Sequence, residues 1–338
     1  MRPDPATLTV LPWRPSRGRV ARLICDITHP DGCPFACDAR RILINVIDEA
    51  AAKGVSVNFG TEFEFYLFQT DEAGRPTSEP FDRAGYMDMF PEDKGENVRR
   101  EICLALSEMG IRPECSHHEE GPGQHEIDFR FDGALNTADN AVTFKTVVRS
   151  IAMQSGLYAD FSPKPLPDCA GNGLHINMSL AGAMDTAKTD AFMAGLIEHV
   201  PALTAFLNPL PESYHRFGSN KAPRYVTWSP ENRSQLIRIP AAASEEYRRI
   251  ELRSPDPAAN PYLAFALLIA AGLYGVEHKL VPPAPVNANL FSAGQEITKA
   301  LRRLPSSLPE AMALARESAL VNRVVPPELF SAYAAAAR

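Results

Sequence analysis

Glu62 and Glu64 stand in Asn58-Phe59-Gly60-Thr61-Glu62-Phe63-Glu64-Phe65-Tyr66-Leu67-Phe68, a segment that otherwise reads as a buried strand. Side chains alternate along a strand, so the two carboxylates share one face while Phe63 and Phe65 take the other. Paired carboxylates in apolar surroundings repel each other and resist loss of water. A divalent cation would neutralise them, and a solvated strand face would also accommodate them.

Three further segments repeat the pattern. His117-His118-Glu119-Glu120-Gly121-Pro122-Gly123-Gln124-His125-Glu126-Ile127-Asp128-Phe129-Arg130-Phe131 passes from a Gly/Pro turn into an alternating strand. Glu126, Asp128 and Arg130 point one way, and Ile127, Phe129 and Phe131 the other. Glu119 lies before the turn, which can fold it back towards Glu126. A purely structural hairpin reads the same way. In Gly171-Asn172-Gly173-Leu174-His175-Ile176-Asn177-Met178-Ser179-Leu180, His175, Asn177 and Ser179 share a face, behind a Gly-x-Gly entry that lets backbone approach a ligand. His175 alone could equally be a simple hydrogen-bonded histidine. In Arg249-Ile250-Glu251-Leu252-Arg253 the charged residues again share a face, with cross-strand ion pairing as the plain alternative. Arg233 and Arg238 lie in the stretch before it, and Arg216 follows Tyr214 in a loop.

Together these strands place carboxylates and one histidine around a cavity edged by arginines. Hard oxygen donors with at most one imidazole suit Mg²⁺ or Mn²⁺ better than Zn²⁺. Arginines facing such ions are what a polyphosphate requires. No Gly-x-x-x-x-Gly-Lys-Ser/Thr loop is present. The residues therefore point to metal-dependent phosphoryl transfer on an antiparallel sheet.

The elements that must hold these strands follow from periodicity. Ala39–Lys53 has helical spacing at Ile42, Leu43, Val46, Ile47 and Ala50, and stops at Gly54. Further helices are expected at 96–109, 138–157, 189–206, 261–279, 308–318 and 327–337, and additional strands at 21–27, 158–161 and 235–239. Antiparallel strands interrupted by long helices give an α+β fold.

The chain is 45% hydrophobic over 338 residues, enough for a sizeable core. Its net charge of −7, from 34 basic and 41 acidic residues, excludes a basic nucleic-acid footprint, so an anionic substrate needs locally placed arginines. The N-terminus lacks a signal-peptide apolar region, and the longest apolar run, Leu263 to Val276, is too short to span a bilayer. No membrane or nucleic-acid partner is expected. Cys33 and Cys37 have no second pair to complete a zinc site, and the cysteines read as reduced thiols of a cytoplasmic protein.

These segments resemble the glutamine synthetase family in its bacterial type I form. The resemblance runs from about Pro3 to the C-terminus and is strongest at Gly60–Phe68, His117–Phe129, Gly171–Leu180 and Arg224–Leu280. Ser254-Pro255-Asp256-Pro257-Ala258-Ala259-Asn260-Pro261-Tyr262 is close to a family signature. The resemblance implies a β-grasp unit followed by a catalytic domain with a curved antiparallel half-barrel sheet, assembled into rings. It divides the chain into a truncated β-grasp remnant at 1–38 and a catalytic domain at 39–338. It implies that Glu64, Glu119 and Glu126 hold one Mg²⁺ or Mn²⁺, and Glu62, His175 and Glu251 another. Arg233, Arg238 and Arg249, with Ser179, match positions around ATP. Gly171, His175, Arg216 and Arg253 match the side that holds glutamate, and Arg216, Arg238 and Arg249 are the implied catalytic residues. The implied reaction makes γ-glutamyl phosphate from ATP and glutamate, then displaces phosphate with ammonia.

Three departures from the family pattern bear on the amine. A longer β-grasp segment with an Asp-Gly-Ser-like turn normally precedes the part matching Leu8 to Asp38. Lys221 stands where the family places a glutamate, in a flap one residue shorter than usual. Ala170 replaces an asparagine that commonly helps bind glutamate, and the C-terminal extension is trimmed. The alternatives to a glutamine-forming ligase are a γ-glutamyl-amine ligase using another amine and a non-catalytic paralogue that binds ATP and metal.

Overall fold

The computed structural model describes residues 1–338 apart from 15–17, 183–184, 220, 245–246 and 337–338. Four short strands open the chain: β1 (Arg2–Pro3), β2 (Thr9–Val10), β3 (Ala21–Arg22) and β4 (Cys25–Asp26). They pair antiparallel as β1–β4 and β2–β3. Arg40 ties this unit down. It is buried, and its guanidinium reaches Asp4 at 2.8 Å, Asp26 at 2.8 Å and Asp139 at 3.0 Å.

Helix α1 (Ala39–Ala52) starts where the Asp38 carboxylate accepts from the Arg40 backbone N–H. Its Ile42, Leu43, Val46 and Ala50 are buried, as the spacing predicts. Then come β5 (Val57–Thr70), β6 (Pro76–Pro80), α2 (Glu96–Glu108), β7 (Pro113–His118) and β8 (Gln124–Gly133). The next elements are α3 (Ala134–Gln154), β9 (Leu157–Asp160), β10 (Leu174–Leu180) and α4 (Thr186–Leu207). The chain continues through β11 (Trp228–Ser229), β12 (Ile237–Arg238), β13 (Ile250–Leu252), α5 (Pro261–Glu277), α6 (Gln295–Thr298), α7 (Leu308–Glu317), α8 (Ala319–Val324) and α9 (Pro327–Ala336).

The fold is α+β. The main sheet runs β11-β12-β13-β10-β5-β8-β7, with β6 and β9 also paired to β5; it is open and antiparallel except at β11–β12. β5 is its axis. One edge pairs with β10 and then β9, the other with β8 and then β6. Phe63, Phe65, Ile127, Phe129, Leu174 and Ile176 turn to the core, and Phe63 stacks on Phe144 of α3 at 5.0 Å. None of the six cysteines forms a disulfide.

Helices α4 and α5 make the rest of the core. α5 is apolar on all sides and correspondingly buried, and it opens with Asn260 as cap and Pro261 at its first position. The two helices approach closely at Gly195 and Gly275. A methyl at Gly195 would lie 2.2 Å from the Ala271 carbonyl, and one at Gly275 would lie 2.0 Å from that of Ala191. α4 has the length and hydropathy of a membrane span, yet most of it is buried inside this fold as a core helix.

Two expectations are corrected. Helix α3 begins at Ala134 rather than 138, because Gly133 ends β8 and the Thr137 hydroxyl bonds the Phe59 and Asp132 carbonyls. Phe131 does not join Ile127 and Phe129 in the core. The β5–β8 register slips between Phe59 and Thr61, and within that bulge Phe131 is 42% exposed and lines a cavity. Re-aiming a side chain is what a bulge does.

Candidate active site

The strand register assembles the carboxylates. On β5, Glu62 lies opposite His175 of β10 on one side and Asp128 of β8 on the other. Glu64 lies opposite Glu126, which in turn faces His117 of β7. Asn177 of β10 faces Glu251 of β13, which faces Arg238 of β12. His175 Nδ1 is 2.9 Å from Glu62 Oε2 and 3.9 Å from Glu251 Oε1. Asn177 donates to Glu62 Oε1 at 2.8 Å. Glu64 Oε2 accepts from the Gly173 backbone N–H at 2.7 Å and from Gln124 at 3.1 Å. The turn folds Glu119 back as expected: His117 Nε2 lies 3.3 Å from Glu119 and 3.7 Å from Glu126.

On this face of the sheet, among the described residues, potential ligand atoms form two groups, each within 4.8 Å: Glu62, Glu126 and His175, and Glu119, Glu126 and His117. Glu126 belongs to both. His117, which carried no role in the sequence reading, joins the second group, while Glu64 and Glu251 flank the two.

The charges are out of balance here. Burial and the neighbouring Asp128 and Glu64 push the Glu126 carboxyl well above its usual range. Burial and Glu62 do the same to Asp128, whose buried Oδ1 has no hydrogen-bond partner. Burial also raises Glu64. Burial opposes ionisation of Glu62 too, but the His175 hydrogen bond and charge, with help from Asn177, bring it down to about 2. A carboxylate-rich, single-face cluster that resists its own charge fits hard divalent cations.

The arginines surround this cluster. Buried Glu251 is held between Arg238, at 2.9 Å, and Arg253, in a closer ion pair. Arg249 Nε donates to Asn177 at 3.0 Å. Arg253 Nε donates to the Arg233 carbonyl at 3.1 Å, and the nearby Tyr86 hydroxyl pushes the Arg233 guanidinium up. Arg216 is buried; it donates to the Ser254 carbonyl at 3.0 Å and leaves Nε unpartnered. Two chambers result. The larger, about 450 Å³, is lined by Glu62, Asp128, Phe131, Ser179 and Arg249. The smaller, about 20 Å³, lies among Glu64, Glu119, Gly171, His175, Arg216 and Lys221.

Residues 36–338 match the family model described as glutamine synthetase, catalytic domain. A glutamine synthetase of Clostridium saccharobutylicum is 44% identical over 99% of this chain and 79% of the relative. One of Methanosarcina mazei is 46% identical over 98% of this chain and 77% of the relative. The chain belongs to the glutamine synthetase family. It is therefore an ATP-dependent ligase of nitrogen metabolism, and the family generally uses ATP and divalent metals. Among solved structures, a GmaS/ADP complex superposes with a TM-score of 0.88 at 33% identity, over 99% of this chain and 80% of that one. A Plasmodium falciparum glutamine synthetase shares the fold with a TM-score of 0.82 at 24% identity, over 97% of this chain and 80% of that one.

Within this glutamine synthetase fold, sequence reasoning missed a clamp beneath the Glu119–Glu126 turn. His118 Nδ1 donates to the Glu119 carbonyl at 2.7 Å, and its Nε2 meets Asp82 at 2.8 Å. Asp82 also accepts the backbone N–H groups of Gly123 at 3.0 Å and Lys94 at 3.1 Å. One buried carboxylate thus pins both ends of the turn. Burial works against charge on both partners, but their mutual hydrogen bond wins: it raises His118 and lowers Asp82 to about 2. Behind them Arg99 forms an ion pair with Asp93 at 2.7 Å and donates to His125 Nδ1 at 2.9 Å. Asp82, Asp93, His118 and His125 could together ligate an ion by proximity. Arg99 supplies a counter-charge to Asp93 and the His118–Asp82 bond holds the other pair, while both Asp93 oxygens and His125 Nε2 have no hydrogen-bond partner. Spacing gives no sign of this, since Asp82 and His118 are 36 residues apart.

Proposed function

We propose that this chain makes glutamine from glutamate and ammonia at the expense of ATP. The observation that carries the reading is the sharing of Glu126 between two carboxylate–histidine groups beneath an arginine rim. In this proposal Glu64, Glu119 and Glu126 hold one Mg²⁺ or Mn²⁺, and Glu62, His175 and Glu251 hold another. Such ions would neutralise phosphate charge and polarise the transferring group.

Arg233, Arg238 and Arg249, with Ser179, take the ATP side, where the larger chamber lies. Gly171, His175, Arg216 and Arg253 take the glutamate side. A γ-carboxylate oxygen attacks the terminal phosphorus of ATP, and the bond from that phosphorus to the ADP oxygen breaks. Ammonia then attacks the acyl carbon of γ-glutamyl phosphate, loses a proton, and phosphate leaves with the bonding pair. Arg216, Arg238 and Arg249 stabilise charge on the transferring group.

We assign residues 1–38 to a small N-terminal unit and 39–338 to the catalytic domain. We place the protein in the cytoplasm, where cysteines outside disulfides stay reduced, as a homo-oligomer of ring form. A second reading, ligation of glutamate to an organic amine, is favoured by one observation: Lys221 puts a cation against the small chamber. Phosphate release with glutamate, ATP, Mg²⁺ and a panel of amines separates the two. Turnover with ammonium supports the first reading; turnover only with an organic amine supports the second; none with any amine overturns both.

A further inference from the structure

Lys221 sits in the flap that follows Arg216, in a backbone conformation rare outside glycine, with φ of +65°. The flap is a tight turn: Ala222 donates to Ser219 at 3.0 Å, and Gly218 donates back to Ala222 at 2.9 Å. From it the Lys221 ammonium reaches across the small chamber. It is 2.9 Å from Glu120 Oε1, 3.9 Å from Glu119 Oε2, and 4.2 Å from the centre of the Tyr86 ring. The Tyr86 ring packs edge-on against His117, with 5.5 Å between ring centres.

A carboxylate on one side and an aromatic face on the other form a receptor for an ammonium group. Glu120 and Tyr86 lie outside the metal-ligand candidates, so the receptor stands whether or not Glu119 holds a metal. We propose that Lys221 occupies this receptor with its own ammonium and competes there with the ammonium substrate, setting how much ammonium the enzyme needs. The proposal rests on the glutamine-forming reading. A side chain tethered beside its receptor acts at an effective concentration on the order of millimolar. External ammonium must therefore displace it, whereas an uncharged amine has no call on the receptor.

The test uses the full chain with Lys221→Asn, since asparagine tolerates the left-handed backbone. Ammonium and hydroxylamine, the latter uncharged at neutral pH, are compared at fixed ATP, Mg²⁺ and glutamate. The ammonium KM should fall roughly five- to tenfold, the yield of a half-exposed ion pair with a ring contact. The hydroxylamine KM should not move, and Lys221→Arg should keep the wild-type ammonium KM. An unchanged or raised ammonium KM in Lys221→Asn overturns the proposal. Wild-type inactivity with both amines instead overturns the functional reading. A readout independent of turnover then remains: the rate at which an amine-acylating reagent modifies Lys221, followed by mass spectrometry. That rate should rise several-fold in Glu120→Gln, and equal rates in the two proteins refute occupancy of the receptor.

Discussion

Glu64 and Glu126 face each other across the β5–β8 pair, both on the polar side of the sheet, and the fold brings them together against their charges. The site is thus assembled at a cost in stability that bound cations would relieve.

That cost is measurable. Glu126 has its carboxyl raised by burial and by Asp128 and Glu64. A raised carboxyl means the folded state holds its proton longer than the unfolded chain does. Metal-free stability should therefore fall as pH rises above the unfolded value of about 4.3 towards the folded one. Glu126→Gln should flatten this slope and raise the metal-free Tm at neutral pH by about 2–4 °C, while abolishing Mg²⁺-dependent turnover. Thermal melts across pH, with and without Mg²⁺, check both. A lower metal-free Tm in Glu126→Gln would refute the repulsion.

The Asp82–His118 clamp stabilises where the Glu64–Glu126 pair repels, yet its His118 part also weakens as pH rises. His118 is raised above its usual 6.5 by its bond to Asp82. Its contribution is fully present below the unfolded value and lost as pH rises through the folded one. Wild-type stability should thus decline above pH ~6.5 in a way that His118→Gln does not. Asp82→Ala, which strips buried His118 of its partner and leaves the Gly123 and Lys94 N–H groups unbonded, should cost about 3–5 kcal/mol in urea unfolding. A cost below about 1 kcal/mol would reduce the clamp to an ordinary surface pair.

Arg249 meets the large chamber and is steadied by Asn177. Replacement by lysine keeps the charge but loses the planar fork, so Arg249→Lys should lower kcat/KM for ATP by about tenfold or more. Initial-rate kinetics decide; an unaltered kcat/KM would remove Arg249 from the phosphate contacts.

Phe131 offers its ring to the same chamber. If a nucleotide base stacks there, Phe131→Ala should weaken ATP binding by about 1–3 kcal/mol with little change in Tm, because the ring contributes nothing to the core. Calorimetric titration of the metal-loaded protein measures this. A large loss of Tm with unchanged affinity would mean that the ring packs rather than binds.

Much of the candidate site is legible in the chain because a strand's alternation is strict. Period two places Glu62 and Glu64 on one face, His175 and Asn177 on another strand's face, and Glu251 between its arginines. Pairing decided what alternation could not. The bulge opposite Phe59–Thr61 reverses Phe131, and no local pattern announces it. Glu126 stands between Glu62 and His175 on one side and Glu119 and His117 on the other because β8 lies between β5 and β7, which is a matter of strand order. Asp82 is silent in sequence because a loop carboxylate acquires its role only when a distant turn folds over it.

The central claim is that glutamate is activated as an acyl phosphate on this sheet. Glutamate carrying oxygen-18 in its γ-carboxylate, incubated with ATP, Mg²⁺ and ammonium, tests it most directly. The released phosphate, analysed by mass spectrometry, should carry one labelled oxygen for each glutamine formed. Glutamine formation with unlabelled phosphate would contradict the account.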